Sequence, residues 1–251
     1  MEGSKLRIIL IFILLLSLPI TASAQSGLGR LDHNGLRQLQ PSLQGEIVPP
    51  GASEAWHFVL PGGSCERDDC GSDRERSQLL QSRPDNNVGE AYRYAFSFYL
   101  PENFPDVSPA NTLLWEVKPF GSGKPSILVE IVESQLQFTM SNPGVSQQDK
   151  MNPERPSIMQ NMGRIPRSSW ADIIIDVRWS AGNDGILNVY QNGRKIVSHT
   201  GPNMETGVRS QAVMFGLYRS FLSRYTSRNG QAAAPTQEAY FANVTRQRIR
   251  F

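Results

Sequence analysis

The 251-residue chain holds only two cysteines and three histidines, so no cluster of Cys and His has the spacing of a zinc site. A Glu-x-Asp-x-x-Glu strand is also missing, and with it the paired carboxylates of a glycosidase. Neither a Gly-x-Ser-x-Gly elbow nor a His-Glu-x-x-His helix occurs, which removes the serine-hydrolase and zinc-protease signatures. No sign of charge dominates: 25 Lys and Arg face 23 Asp and Glu, a net charge of +2 that is too balanced for a general nucleic-acid binder. Stretches free of glycine and proline are short, with 21 Gly and 17 Pro along the chain, which argues against a helical bundle and for many short strands. At 39% hydrophobic and 19% charged residues the composition is that of a globular protein, and one domain over residues 25–251 accommodates it.

Residues 1–24 read as a signal peptide. Lys5 and Arg7 precede an apolar run from Ile8 to Leu18, and Ala22-Ser23-Ala24 supplies the small residues a signal peptidase needs. The run is shorter than the ~20 apolar residues of a spanning helix, so cleavage before Gln25 is expected, with no membrane attachment afterwards. Losing Glu2, Lys5 and Arg7 leaves 23 basic and 22 acidic side chains. A periplasmic or secreted monomer is expected. In that compartment Cys65 and Cys70, in a polar loop, read as a small disulfide clip. No metal is expected there, because His57 is the only histidine nearby in sequence.

The clearest strand runs from Ala91 to Leu100, with Tyr92, Tyr94, Phe96, Phe98 and Leu100 on one face. Trp56 to Leu60, Thr112 to Lys118, Ser126 to Val132, Gln135 to Met140, Trp170 to Trp179, Ile186 to Gln191, Val213 to Arg219 and Ala239 to Arg246 also read as strands. Asn192-Gly193 is a strong hairpin turn. If Arg74 to Gln81 is extended, Arg74, Arg76 and Gln78 share a face that suits a ligand. Strict alternation puts Glu116 and Lys118 together with Thr112 and Leu114, and Leu113, Trp115 and Val117 opposite. Ser141 to Arg167 reads as a long polar connection and Ser220 to Gln237 as a loop. About ten strands without helical periodicity predict an all-β fold, a two-sheet sandwich of jelly-roll type.

Trp170-Ala-Asp-Ile-Ile-Ile-Asp-Val-Arg-Trp-Ser180, then Asp184-Gly185, Tyr190-Gln-Asn-Gly193 and Phe215-Gly-Leu-Tyr-Arg219, resemble the heparin-lyase-like and glucuronan-lyase-like polysaccharide lyases. Upstream, Asp73-Arg-Glu-Arg-Ser-Gln-Leu79 is similar to the family's Arg-Ser-Glu-Leu strand, so the likeness runs roughly from Trp56 to Arg246. The resemblance implies a concanavalin-like jelly roll that cleaves a uronic-acid polymer by β-elimination, with an acidic polysaccharide as partner, no nucleic acid, and no cofactor. Some such lyases bind calcium, for which Glu66, Asp68 and Asp69 are the candidate charges, although plain surface charge explains them as well. Two departures stand out. Glu116 and Lys118 replace a Gln and a His, and the Tyr-x-Lys-x-Gly-x-Tyr pattern reads Ala212, Met214, Gly216, Tyr218.

A proton alpha to a carboxylate is removable only once the carboxylate charge is neutralised, so such a lyase needs a cation or amide there and groups that transfer protons. Arg76 and Gln78 are the expected carboxylate holders, a fork and an amide. Lys118, as base where burial lowers its pKa, and Tyr218 are the expected proton-transfer groups, with Glu116 beside Lys118. Tyr190 is the candidate sugar-stacking platform, while Trp115 is read as core. Arg93, Arg178 and Arg219 are candidates for a basic groove, though alternation sets Arg219 opposite Tyr218, and His199 follows the Asn192-Gly193 hairpin. The expected activity is that of an exported polysaccharide lyase. The alternative is a glycan-binding jelly roll that keeps the groove without catalysis, as Ala212 and Met214 suggest.

Overall fold

A computed structural model gives the fold and describes residues 28, 30–35, 51–52, 54–65, 67–121, 123–141, 143–146 and 156–251. The expected signal peptide, residues 1–24, and Glu66 lie outside the described residues. Fourteen strands are described: β1 Leu31–Gly35, β2 Trp56–Leu60, β3 Arg74–Gln81, β4 Asn86–Asn87, β5 Ala91–Tyr99, β6 Asn111–Pro119, β7 Ile127–Val132, β8 Gln135–Ser141, β9 Pro156–Arg164, β10 Trp170–Arg178, β11 Ile186–Gln191, β12 Arg194–Thr200, β13 Ser210–Ser220 and β14 Gln237–Arg248. A short helix, α1 Leu222–Asn229, precedes β14.

The strands form two antiparallel sheets. One runs β1-β3-β13-β6-β7-β8-β9, with β4 also on β13, and the other β12-β11-β10-β5-β14-β2. Period-two alternation dictates the layering, because each inner face is apolar and must be buried against the other. Tyr92, Tyr94, Phe96 and Phe98 of β5 are all buried, as the alternation requires. They meet Trp115 of β6, whose ring stacks on Phe96 at 4.1 Å, so Trp115 is core. Phe58, Phe215 and Phe241 continue the seam with centroids 5.4 to 5.7 Å apart. Trp179 donates its buried indole N–H to Tyr94 Oη at 3.2 Å.

The hairpin at Asn192-Gly193 has both residues at positive φ, 49° and 78°, as the tight β11–β12 turn demands. Three departures from expectation have physical causes. Part of the long polar connection is strand β9, an edge strand whose side chains are half wet, leaving Met159 exposed and Met162 buried, so its alternation is faint. The loop before β14 contains α1, whose buried Tyr225 packs with Val107, Ala110 and Ala234 and whose Leu222, one turn earlier, packs on the same cluster; eight residues with two apolar anchors are too short to stand out from a polar loop. In β6 the register against β7 shifts between Leu113 and Trp115. This bulge buries Leu114 in the core and turns Leu113 onto the outer face with Glu116 and Lys118, which strict alternation does not foresee.

A matching register shift lies in β13 between Phe215 and Tyr218. Gly216 sits there at φ 126°, and a Cβ on it would stand 2.5 Å from the Ser77 carbonyl oxygen and 2.7 Å from the Phe58 ring. Only glycine fits this crossing of backbone and core. Gly216→Ala is expected to cost at least about 2 kcal/mol, lowering the thermal unfolding midpoint by roughly 5 °C or more, as measured by calorimetry.

Candidate active site

With one face of the eight-stranded sheet spent on the core, the other carries a groove. It opens over β3, β13, β6 and β7 as a cavity of about 580 Å³. Arg74 and Arg76 enter from β3, Met214, Tyr218 and Ser220 from β13, Asn111, Leu113, Glu116 and Lys118 from β6, and Leu128 and Glu130 from β7. Lys124, in the β6–β7 turn, and Phe221, just before α1, complete the rim. Of the expected site residues, Arg76, Glu116, Lys118 and Tyr218 thus come together, and Gln78 lies directly beneath them.

Arg76 is the best-fixed group in the groove. Its Nε and Nη2 donate to the two carboxylate oxygens of Asp69 at 2.6 and 2.5 Å. Its guanidinium carbon lies 4.6 Å from the centre of the Tyr218 ring, a cation–π distance. Burial opposes the Arg76 charge, but the Asp69 carboxylate more than offsets that and holds its pKa above the usual value. Burial likewise holds the Tyr218 phenol pKa above its usual value, with Glu116 and Asp69 adding to the rise and Arg74 and Arg76 offsetting part of it.

Gln78 was expected to grip a carboxylate itself. It is instead fully buried and donates Nε2 to Glu116 Oε1 at 3.3 Å, so it supports Glu116 from below. The register also separates the two expected proton-transfer groups. Lys118 pairs with Ala212, whereas Tyr218 pairs with Leu113, five residues along β6, so the two side chains enter the shared cavity from different points along the strand. Lys118 therefore belongs with Lys124 at one end of the groove and Tyr218 with Arg74 and Arg76 at the other.

Five expected binding residues lie elsewhere. Arg219 faces the interior, fully buried, where it pairs with Glu75 and donates to the carbonyls of Pro235 at 2.5 Å and Pro61 at 2.9 Å. Alternation from Tyr218 is the reason. Burial pushes the Glu75 carboxyl up and the Arg219 guanidinium down, and each charge opposes the other's shift. Arg93, Arg178 and Tyr190 stand on the outer face of the six-stranded sheet, across the sandwich from the groove. There Arg93 forks onto Asp176 at 2.7 Å, Arg178 donates to the Asp184 carbonyl at 2.8 Å, and Tyr190 lies under Lys195. His199, on β12 of the same sheet, bonds the Pro202 carbonyl at 2.9 Å.

Arg74, expected on the ligand face of β3, lines the groove, and Lys124, Asn111 and Glu130 line it without having been singled out. Alternation with Arg76 flags Arg74, and a lone acid in the apolar strand β7 flags Glu130, which accepts from Thr139 Oγ1 at 3.0 Å. Nothing local marks Lys124. Among the described residues, no group of three or more His, Cys, Asp and Glu side chains is placed to hold a metal ion. Of the calcium candidates, Asp68 is exposed and Asp69 is committed to Arg76.

Two antiparallel sheets with a charged groove on one outer face make a jelly roll. Residues 56–245 match the family model described as polysaccharide lyase. The chain belongs to the polysaccharide lyase family, and so to the lyases. An endo-β-1,4-glucuronan lyase from the fungus Trichoderma reesei superposes with a TM-score of 0.62 at 15% identity, over 88% of this chain and 95% of that one. An alginate lyase of polysaccharide lyase family 7 gives 0.54 at 13% identity, over 79% and 80%. The alginate lyase Aly36B gives 0.56 at 13%, over 87% of each chain. None of the curated proteins matches the chain.

Glu75→Ala leaves the Arg219 guanidinium buried without its counter-charge. The expected loss is about 3–5 kcal/mol of folding stability, read by urea titration.

Proposed function

We propose that this chain is an exported lyase that cleaves a uronic-acid-containing polysaccharide by β-elimination. The observation that carries this reading is the Arg76 guanidinium fixed against the Tyr218 ring in a groove that also holds Arg74. Arg76, with Arg74 beside it, neutralises the uronate carboxylate and makes the C5 proton removable. Tyr218 as phenolate takes that proton. The C5–H electrons become the C4=C5 double bond, the C4–O4 bond breaks, and the phenol returns its proton to O4, which restores the phenolate. Glu116, supported by Gln78, faces sugar hydroxyls, and Lys118 and Lys124 hold carboxylates of neighbouring sugars.

The separation of Lys118 from Tyr218 favours one residue acting as both base and acid, and that requires the C5 proton and O4 on the same side of the ring. β-D-Glucuronate and β-D-mannuronate units meet that requirement, and α-L-guluronate units do not. Export is supported by the basic, apolar and small-residue sequence of residues 1–24 and by the Cys65–Cys70 disulfide. Among the described residues no helix is long and apolar enough to cross a membrane.

Incubation with glucuronan, polymannuronate, polyguluronate and heparin, followed by the ultraviolet absorbance of unsaturated uronate ends, tests the reading. Cleavage of the first two above polyguluronate is expected; carbohydrate binding without new absorbance on any polymer would leave a glycan-binding protein instead. Tyr218→Phe is expected to lower kcat by about 10²- to 10⁴-fold while retaining oligosaccharide binding. Because Arg74 stabilises the phenolate and so lowers the Tyr218 pKa, Arg74→Ala is expected to raise it. The rising limb of the pH–rate profile then moves to higher pH, as initial rates across the alkaline range will show.

A further inference from the structure

The loop that leads into β3 does more than connect. A 3₁₀ turn at Arg67–Asp69 and the Cys65–Cys70 disulfide close a tight ring, in which Asp68 points to solvent and Asp69 is turned inward, 6% exposed. The ring is pinned again beyond the disulfide. Ser72 donates its backbone N–H to the Asp69 carbonyl at 3.0 Å and its hydroxyl to the Asp68 carbonyl at 2.5 Å, while the Asp73 carboxylate accepts from Ser223 N and Oγ at 2.7 Å each. Asp69 is therefore presented from a rigid frame, and its target is a single group. It takes two N–H bonds of the Arg76 guanidinium, Nε and one on Nη2, and leaves the other three of the usual five for a ligand.

Arg74 and Arg76 project from the same face of β3 about 7 Å apart, so an unrestrained Arg76 would swing away from its neighbour and from the Tyr218 ring. We propose that Asp69, presented by the Cys65–Cys70 ring, is a positioning residue that holds the Arg76 guanidinium over Tyr218 in the geometry that receives a substrate carboxylate. The inference rests on the lyase reading of the groove and adds a residue outside its lining. Asp69 touches neither substrate nor the reacting atoms; it acts on carboxylate binding through Arg76, while its charge also pushes the Tyr218 phenol pKa up.

The test is a double-mutant cycle on the full chain, with glucuronan as substrate and glucuronate oligosaccharide binding by calorimetry as a second readout. Asp69→Asn, nearly isosteric, is expected to lower kcat/KM about tenfold or more, chiefly through KM, with Asp69→Glu recovering most of the loss. In an Arg76→Lys background, which already lacks the fork, Asp69→Asn should change the oligosaccharide Kd less than twofold. The Cys65→Ser/Cys70→Ser double variant should raise KM in the direction of Asp69→Asn. Losses that multiply in the cycle, or Asp69→Asn kinetics equal to wild type, overturn the proposal. So does an Asp69→Asn variant that loses only thermal stability. Should the wild type cleave no polymer, the lyase reading falls, and the calorimetric cycle still decides whether Asp69 acts through Arg76.

Discussion

The packing of aromatic rings between the sheets is the constraint from which the groove follows. Trp115 stacked on Phe96, with Phe58, Phe215 and Phe241 beside them, commits alternate positions of β5, β6, β13 and β14 to the interior. A strand has only two faces, so the remaining positions of β3, β6 and β13 must look outward together. Arg76, Glu116 and Tyr218 share the groove for that reason, and Arg219 is excluded from it by the same arithmetic. The paired register shifts at Leu113 and at Gly216 act where the two patterns would otherwise conflict, and they deliver Leu113 to the groove and Leu114 to the core.

The electrostatics of the groove are graded. At one end Arg74 and Arg76 crowd a half-buried phenol, and their mutual repulsion is offset by Asp69, a carboxylate anchored outside the sheet. In the middle Glu116 rests on a buried amide donor, and at the far end Lys118 and Lys124 add positive charge. The Arg219–Glu75 pair beneath the sheet is a different kind of object. It is sealed from water, bonded to main-chain carbonyls, and spends its charges on joining β3 and β13 to the segment before β14. Arg76 and Arg219, one pairing step apart in the β3–β13 ladder, thus serve opposite faces of the sheet because one faces out and the other in.

Much of this was legible from residue order. The aromatic alternation of β5 and the Asn192-Gly193 hairpin determine the six-stranded sheet locally, and the alternation of β3 correctly grouped Arg74 with Arg76. What escaped was set by partners distant in sequence. Gln78 sits on the right strand face, yet its cover comes from neighbouring strands, so burial turned an expected ligand into a support for Glu116. Arg93, Arg178 and Tyr190 have the right chemistry but sit in strands of the other sheet, a fact of topology that no local pattern encodes. Asp69 resembled surface charge because nothing in its own segment shows that the turn folds it back onto Arg76, seven residues on.

The substitutions at Glu116, Lys118, Ala212 and Met214 look at first like the loss of a catalytic set. The geometry argues for redistribution. Lys118 enters the groove five residues along β6 from the partner of Tyr218, so replacing a His there leaves the Arg76–Tyr218 contact in place. Ala212 and Met214 pair with Lys118 and Glu116, which places all four substitutions in one stretch of the sheet, and of these Glu116 reaches the other end, since its charge raises the Tyr218 phenol pKa and favours the Arg76 cation. Neutralising a carboxylate and moving one proton need a cation and a proton-transfer group side by side, and on the proposed reading Arg76 and Tyr218 are that pair. On the proposed reading, a change of residues at the Lys118 end alters which neighbouring sugars the groove holds and leaves Arg76 in contact with Tyr218.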